Sequence, residues 1–355
     1  MNQKVTRLFY VVISMVICTA MFCSLNLSVS AAGNGNQPGS AALVKAMGVG
    51  WNLGNSLDAV NPSAGYYLDT ESLWGNPVVT RKLIQGVYAA GFRTIRIPVT
   101  YYNHIDENGM IDARWLDRVE QVVGYALEKD MYVIINVHHD TGMDLSYKWI
   151  AADPDTIEED RANLTSLWRQ IAARFKDYDY HLIFEATNEI MDQAADSYDT
   201  AGYKVVHGLN QAFIDTVRAV GSYNANRFLA VSTYGAIVKT ATLQGALEGG
   251  FTDPAKDRLL LAVHGYSVDI ATIDYSIQKV ASVAKQYGMS AYIGEFGSTN
   301  TVKESTRVAA AKEYVKMGKK YGVACLWWDN GGSYQLMDRK TGRVVYPKII
   351  SALMK

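Results

Sequence analysis

What most constrains this chain is a set of eight short apolar runs recurring at intervals of about 30–50 residues. They occupy residues 48–53, 92–98, 132–137, 182–185, 228–231, 259–264, 291–294 and 323–328. Each is rich in Ile, Val or aromatic side chains, as strands buried on both faces must be. Helix-periodic stretches separate them, at 80–90, 114–129, 162–175, 205–220, 277–286 and 308–319, with the weakest pattern at 236–249. Strands alternating with helices define an α/β protein, and eight such units fit a closed (β/α)8 TIM barrel. Periodicity alone leaves a doubly wound sheet as the alternative.

The chain has 355 residues, 49% hydrophobic and 19% charged, with a formal net charge of -1. That balance gives no electrostatic reason to bind nucleic acid or an anionic membrane. Residues 1–31 read as a signal peptide: Lys4 and Arg7 precede an apolar run over 8–22, and Val29-Ser30-Ala31 supplies a small-residue cleavage site. An uncleaved anchor is the alternative. Cleavage there would leave a flexible Gly-rich segment over 32–40 and one domain over 41–355, secreted and extracellular. Of the three cysteines only Cys325 would remain, so no internal disulfide could form, and its place in the eighth run makes it a buried hydrophobe.

Polar residues crowd the C-terminal ends of these runs, where a barrel builds its active site. Arg96 closes the second run; His138 and His139 follow the third, and Asn188 and Glu189 the fourth. His264 ends the sixth, Glu295 the seventh, and Trp327, Trp328 and Asp329 the eighth. Glu189 and Glu295 form a candidate acid and carboxylate pair for glycosidic bond cleavage. Glu185 lies in the same motif as Glu189, and its place at the strand end suits a salt bridge to a structural base. Trp51, Tyr101, Tyr102, Tyr147, Trp149, Tyr234, Tyr266, Trp327 and Trp328 flank the proposed rim, and aromatic faces beside polar groups suit sugar rings. His138 and His139, adjacent on an extended chain, should point to opposite faces and not converge on a metal. No HExxH, Walker or GxSxG pattern occurs, and the 48–54 segment has GxGxxxG spacing within a strand, so neither a metal nor a cofactor is expected.

The motifs GWNLGNSLDA (50–59), ESLWGNP (71–77), GFRTIRIPV (91–99), VIINVHHD (133–140), HLIFEATNEI (181–190), VHGY (263–266), YIGEFG (292–297) and WWDNG (327–331) together resemble the glycoside hydrolase family 5 cellulases, in their endoglucanase and xyloglucanase branch. The resemblance implies retaining hydrolysis of a β-glucan polysaccharide or oligosaccharide, with Glu189 as general acid/base and Glu295 as nucleophile. It further implies that Arg96, His138, Asn188, His264 and Tyr266 position the nucleophile and substrate, with Trp328 as aromatic platform; Trp327, Trp51 and Asn52 lie in the same motifs. Two segments depart from the family pattern. Ile190 stands where Asn-Glu-Pro would end, and Ser267-Val268-Asp269-Ile270 replaces a Pro- and aromatic-containing loop. The altered loops leave cellulose, mixed-linkage glucan, xyloglucan, mannan and xylan open as substrates.

Overall fold

Eight parallel strands close on themselves in sequence order, with β8 pairing back onto β1. The computed structural model describes residues 37–66, 69–142, 148–192 and 200–355; the signal segment and Tyr147 lie outside them. The strands are β1 (Val49–Leu53), β2 (Thr94–Ile97), β3 (Tyr132–Asn136), β4 (Leu182–Glu185), β5 (Leu229–Ser232), β6 (Leu259–His264), β7 (Ser290–Phe296) and β8 (Val323–Asp329). The (β/α)8 barrel is therefore borne out, and the doubly wound alternative is excluded. Among the described residues, no helix is long and apolar enough to cross a membrane.

Helix α1 (Ser40–Met47) precedes the barrel, and α2 (Arg81–Ala89), α3 (Ala113–Leu127), α4 (Ile157–Arg174), α5 (Thr200–Val220), α6 (Thr240–Leu247), α7 (Ile270–Gln286) and α8 (Glu304–Tyr321) follow the successive strands. A last helix, α9, covers Pro347–Leu353. The weak pattern at 236–249 is thus a real helix, α6, with Leu243, Ala246 and Leu247 buried. Local chemistry marks the helix starts. The Thr80 and Asp269 side chains accept from Leu83 N–H and Thr272 N–H, supplying partners that a first helical turn lacks. Residues 38–40, expected in the flexible segment, are held to the barrel. The Arg258 guanidinium donates to the Pro38 carbonyl, and the Ser40 hydroxyl donates to Asp257 at 2.5 Å.

The strand period of two sorts the side chains. Ile95, Ile97, Val133, Ile135, Leu182, Phe184, Val231 and Val263 join the large core between strands and helices. Ile134, Ile183, Ala230, Leu260, Ala262, Tyr292, Ala324 and Leu326 fill the lower barrel, where Leu43, Val44 and Met47 of α1 pack against them as a plug. Burial of each large aliphatic side chain contributes roughly 1.5–3 kcal/mol, so this dry plug anchors what stands above it. One step further along the inward period come Asn52, Arg96, Asn136, Glu185, His264 and Trp328.

Strand β7 breaks the period. Its register slips against both neighbours, between Val263 and His264 on one side and between Ile293 and Phe296 on the other. Tyr292 faces inward and Ile293 outward, yet Glu295 faces inward and Phe296 outward, so Gly294 is the extra residue of a bulge. A Cβ on Gly294 would sit 3.3 Å from the His264 ring, tight enough to displace it. Without the bulge, the seventh-strand carboxylate would point into the helix layer.

Candidate active site

Arg96 stands at the centre of the mouth, fully buried, and all five of its N–H donors are used. Its Nη1 donates to Glu295 Oε1 at 2.6 Å and to Asn52 Oδ1 at 3.0 Å. Its Nη2 donates to Glu185 Oε1 at 2.6 Å and to Asn188 Oδ1 at 2.8 Å, while Nε reaches Glu185 Oε2 at 2.9 Å. Burial would lower the guanidinium pKa, but the charges of Glu185 and then Glu295 outweigh it and raise it above its ordinary value. Glu185 therefore does pair with a buried base, and that base is the one that also grips Glu295.

Glu295 is held from two directions. Arg96 binds Oε1, and the Tyr266 hydroxyl donates to Oε2 at 2.5 Å. Burial and then the charge of Glu295 push the Tyr266 phenol far above its usual value, so it remains a donor. Asn52 donates to the Gly294 carbonyl at 2.8 Å while accepting from Arg96, tying the bulge to the arginine. Its amide is thereby consumed inside the barrel and does not reach the cleft.

Glu189 follows β4 by four residues and projects over the same mouth. His264 Nδ1 donates to Glu189 Oε1 at 2.7 Å and lies 3.7 Å from Glu295 Oε2. Oxygens of the two carboxylates and this nitrogen all lie within 4.8 Å of one another. Burial opposes charge on both members of the Glu189–His264 pair. The His264 hydrogen bond and charge nevertheless hold Glu189 below the usual carboxyl value, and Glu295 and Glu189 hold His264 above the usual imidazole value. The pair keeps one proton between its members.

On the other wall, Asn136 accepts from Val99 N–H at 3.2 Å, which turns its amide nitrogen towards Glu185 Oε1 (2.9 Å) and His138 Nδ1 (3.1 Å). His138 is thereby assigned the Nε2–H tautomer. Burial first, and then repulsion from His139, Arg96 and His264, hold its pKa well below the ordinary imidazole value. Its ring lies parallel to Trp328 at 5.9 Å.

The structure corrects three expectations. Trp51 and Trp327 belong to the outer core, not the mouth: the Trp51 indole donates to Asp329 Oδ2, and that of Trp327 donates to the Tyr334 carbonyl. Both sit at odd positions beside the inward Asn52 and Trp328, so strand alternation alone sends them away. Tyr101 and Tyr234 are likewise wholly buried in the core. His138 and His139 do not diverge. Strand β3 ends at Asn136, so the alternation no longer applies, and their rings meet edge to face at 4.5 Å beside Asp58. One ligand atom from each of these three residues lies within 4.8 Å of the others, as in a metal set. The donor chemistry does not fit one: the His138 Nδ1 lone pair is taken by Asn136, and its Nε2 carries the proton. Asn136 and Tyr292 were not singled out from sequence, although each is a polar group on an inward strand position.

The family model for cellulase (glycosyl hydrolase family 5) matches residues 57–333. The chain is 35% identical to the cellulase/esterase CelE of Acetivibrio thermocellus over 345 residues, covering 88% of this chain but 40% of that protein's length. A GH5-4 broad-specificity endoglucanase from Ruminococcus champanellensis, solved with bound cellotriose, superposes with a TM-score of 0.84 at 31% identity, covering 90% of this chain and 99% of that one. The family 5 xyloglucanase from Paenibacillus pabuli superposes with a TM-score of 0.78 at 30% identity, covering 88% of this chain and 99% of that one. On a family match spanning most of its length, the chain belongs to glycosyl hydrolase family 5, the cellulase family.

Proposed function

We propose that the protein is an endo-β-1,4-glucanase that cleaves internal bonds of β-glucan chains by double displacement with retention. The observation that carries this reading is the approach of Glu189 and Glu295 to within 4.8 Å across the barrel mouth. Carboxylates about 5 Å apart leave no room for a water between the sugar and the base, whereas inverting enzymes hold theirs about 6.5–9.5 Å apart. Glu295, oriented by Arg96 and Tyr266, attacks the anomeric carbon as Glu189 protonates the departing oxygen. Glu189 then takes a proton from water, which attacks the same carbon and releases Glu295. Asn188 spends its Oδ1 on Arg96, leaving its amide N–H groups to bind the sugar 2-hydroxyl, a contact that strengthens in the transition state. His138 Nε2–H and the Trp328 face supply a donor and a platform for the same ring.

The likeness to the Paenibacillus pabuli enzyme supports a second reading on the same machinery, in which side-branched xyloglucan is accepted. Reducing-sugar release from cellulose, mixed-linkage glucan, xyloglucan, mannan and xylan ranks the substrates. We also propose that the enzyme acts outside the cell, because residues 1–31 have the order of an export signal. Sequencing of the exported product should find a terminus near Ala32; retention of residues 8–22 would contradict this.

Two kinetic outcomes follow from the assigned roles. Glu189→Ala should still glycosylate on a substrate whose leaving group needs no proton, then stall. Azide should rescue it and yield a β-glycosyl azide, whereas Glu295→Ala should be inactive on that substrate unless an inverted product forms. On natural glucan each change should cost at least ~10²–10⁴-fold. A β-glycosyl azide from the Glu295 variant, and an inverted α-glycosyl azide from the Glu189 variant, would reverse the assignment. The second outcome concerns pH. Because the folded His264 is raised above the ordinary 6.5, the Glu189–His264 proton survives above that pH and is lost on further titration. The alkaline limb of kcat/KM should therefore lie above 6.5 and move down in His264→Asn. A limb unmoved in that variant would exclude the pair as the proton source.

A further inference from the structure

The interaction in the site that the reaction scheme leaves unused is the strongest one there. Of the five Arg96 N–H groups, two are given to Glu185, which is 1% exposed, and only one to Glu295. Glu185 also accepts from the Tyr292 hydroxyl at 2.6 Å and from Asn136 at 2.9 Å. A carboxylate bonded on both oxygens by three residues in the dry centre of the barrel is held ionised and fixed in place. Buried to 1% exposure, it offers a substrate no surface to touch.

We propose that Glu185 is a positioning residue that acts through Arg96, sharing the guanidinium charge so that Glu295 receives only part of it. The inference rests on the assignment of Glu295 as nucleophile. A carboxylate facing an undivided buried cation is a weaker nucleophile and a better leaving group, because the cation stabilises the free anion over the neutral ester. Glu185 divides that field. It thereby favours formation of the bond between Glu295 and the anomeric carbon, in which the glycosidic oxygen leaves with the Glu189 proton. The same division slows the return of the electron pair to Glu295 when water attacks. A purely structural Glu185 would instead hold Arg96 in place and influence both steps alike.

Glu185→Gln separates the two, since it keeps the shape and one acceptor oxygen but removes the charge. With an aryl β-cellobioside whose leaving group makes deglycosylation limiting, kcat/KM should fall roughly tenfold or more while kcat is unchanged or rises. An equal fall in both constants, or no change in either, would overturn the proposal. Glu185→Asp keeps the charge and serves if the first variant does not fold; the ratio of kcat/KM to kcat should stay at the wild-type value, and a shifted ratio would count against a charge effect. Mass mapping of the trapped glycosyl-enzyme in the unaltered protein keeps the two readings apart. A label absent from Glu295 defeats the nucleophile assignment itself, whereas a label on Glu295 with no kinetic split defeats only the role of Glu185.

Discussion

A fully buried guanidinium needs partners on every donor, and the mouth of this barrel is organised around meeting that need for Arg96. Leaving such a charge unpaired in the interior would cost about 3–5 kcal/mol or more. Glu185, Glu295, Asn52 and Asn188 supply the acceptors, from β1, β4 and its immediate extension, and β7. Each acceptor is thereby brought to a defined place. Glu295 is turned by the bulge of β7, and Asn52 pins that bulge through the Gly294 carbonyl. The place of Glu295 is thus set by the solvation of Arg96, whereas Glu189 is held by His264.

The lower barrel makes this possible. Its aliphatic layer, plugged by α1, excludes water beneath Arg96 and leaves the network one open side. On that side stand Glu189 and His264, sharing a proton, with His138 and Trp328 forming the wall opposite. The dry side holds Glu295 and the wet side Glu189, which suits the different access to water that the proposed nucleophile and acid/base require.

Much of this was legible in the sequence because two physical periods leave plain marks. Eight apolar runs announce eight buried strands, and polar residues at their ends announce the rim; Arg96, Asn188, Glu189, His264, Tyr266 and Glu295 all meet there. Where reading by period stopped, the reason was local. Trp51 and Trp327 read as rim aromatics by their nearness to the polar strand ends, yet alternation sends both outward. His138 and His139 were assigned opposite faces because strand geometry was extended past Asn136, where β3 ends. The bulge at Gly294 has no signature in a single sequence beyond the glycine. Nor does the sequence reveal that Arg96, Asn136 and Tyr292 converge on Glu185, since that needs the closed barrel to bring β2, β3, β4 and β7 together.

The central claim is that Glu295, and no other carboxylate of the cluster, forms the covalent bond to the sugar. A 2-deoxy-2-fluoro-β-cellobioside with an activated leaving group slows the second step more than the first and should accumulate the glycosyl-enzyme. Peptide mapping by mass spectrometry should then find one sugar adduct per chain, on Glu295. An adduct on Glu189 or Glu185, or turnover without any adduct and with an inverted product, would contradict the account.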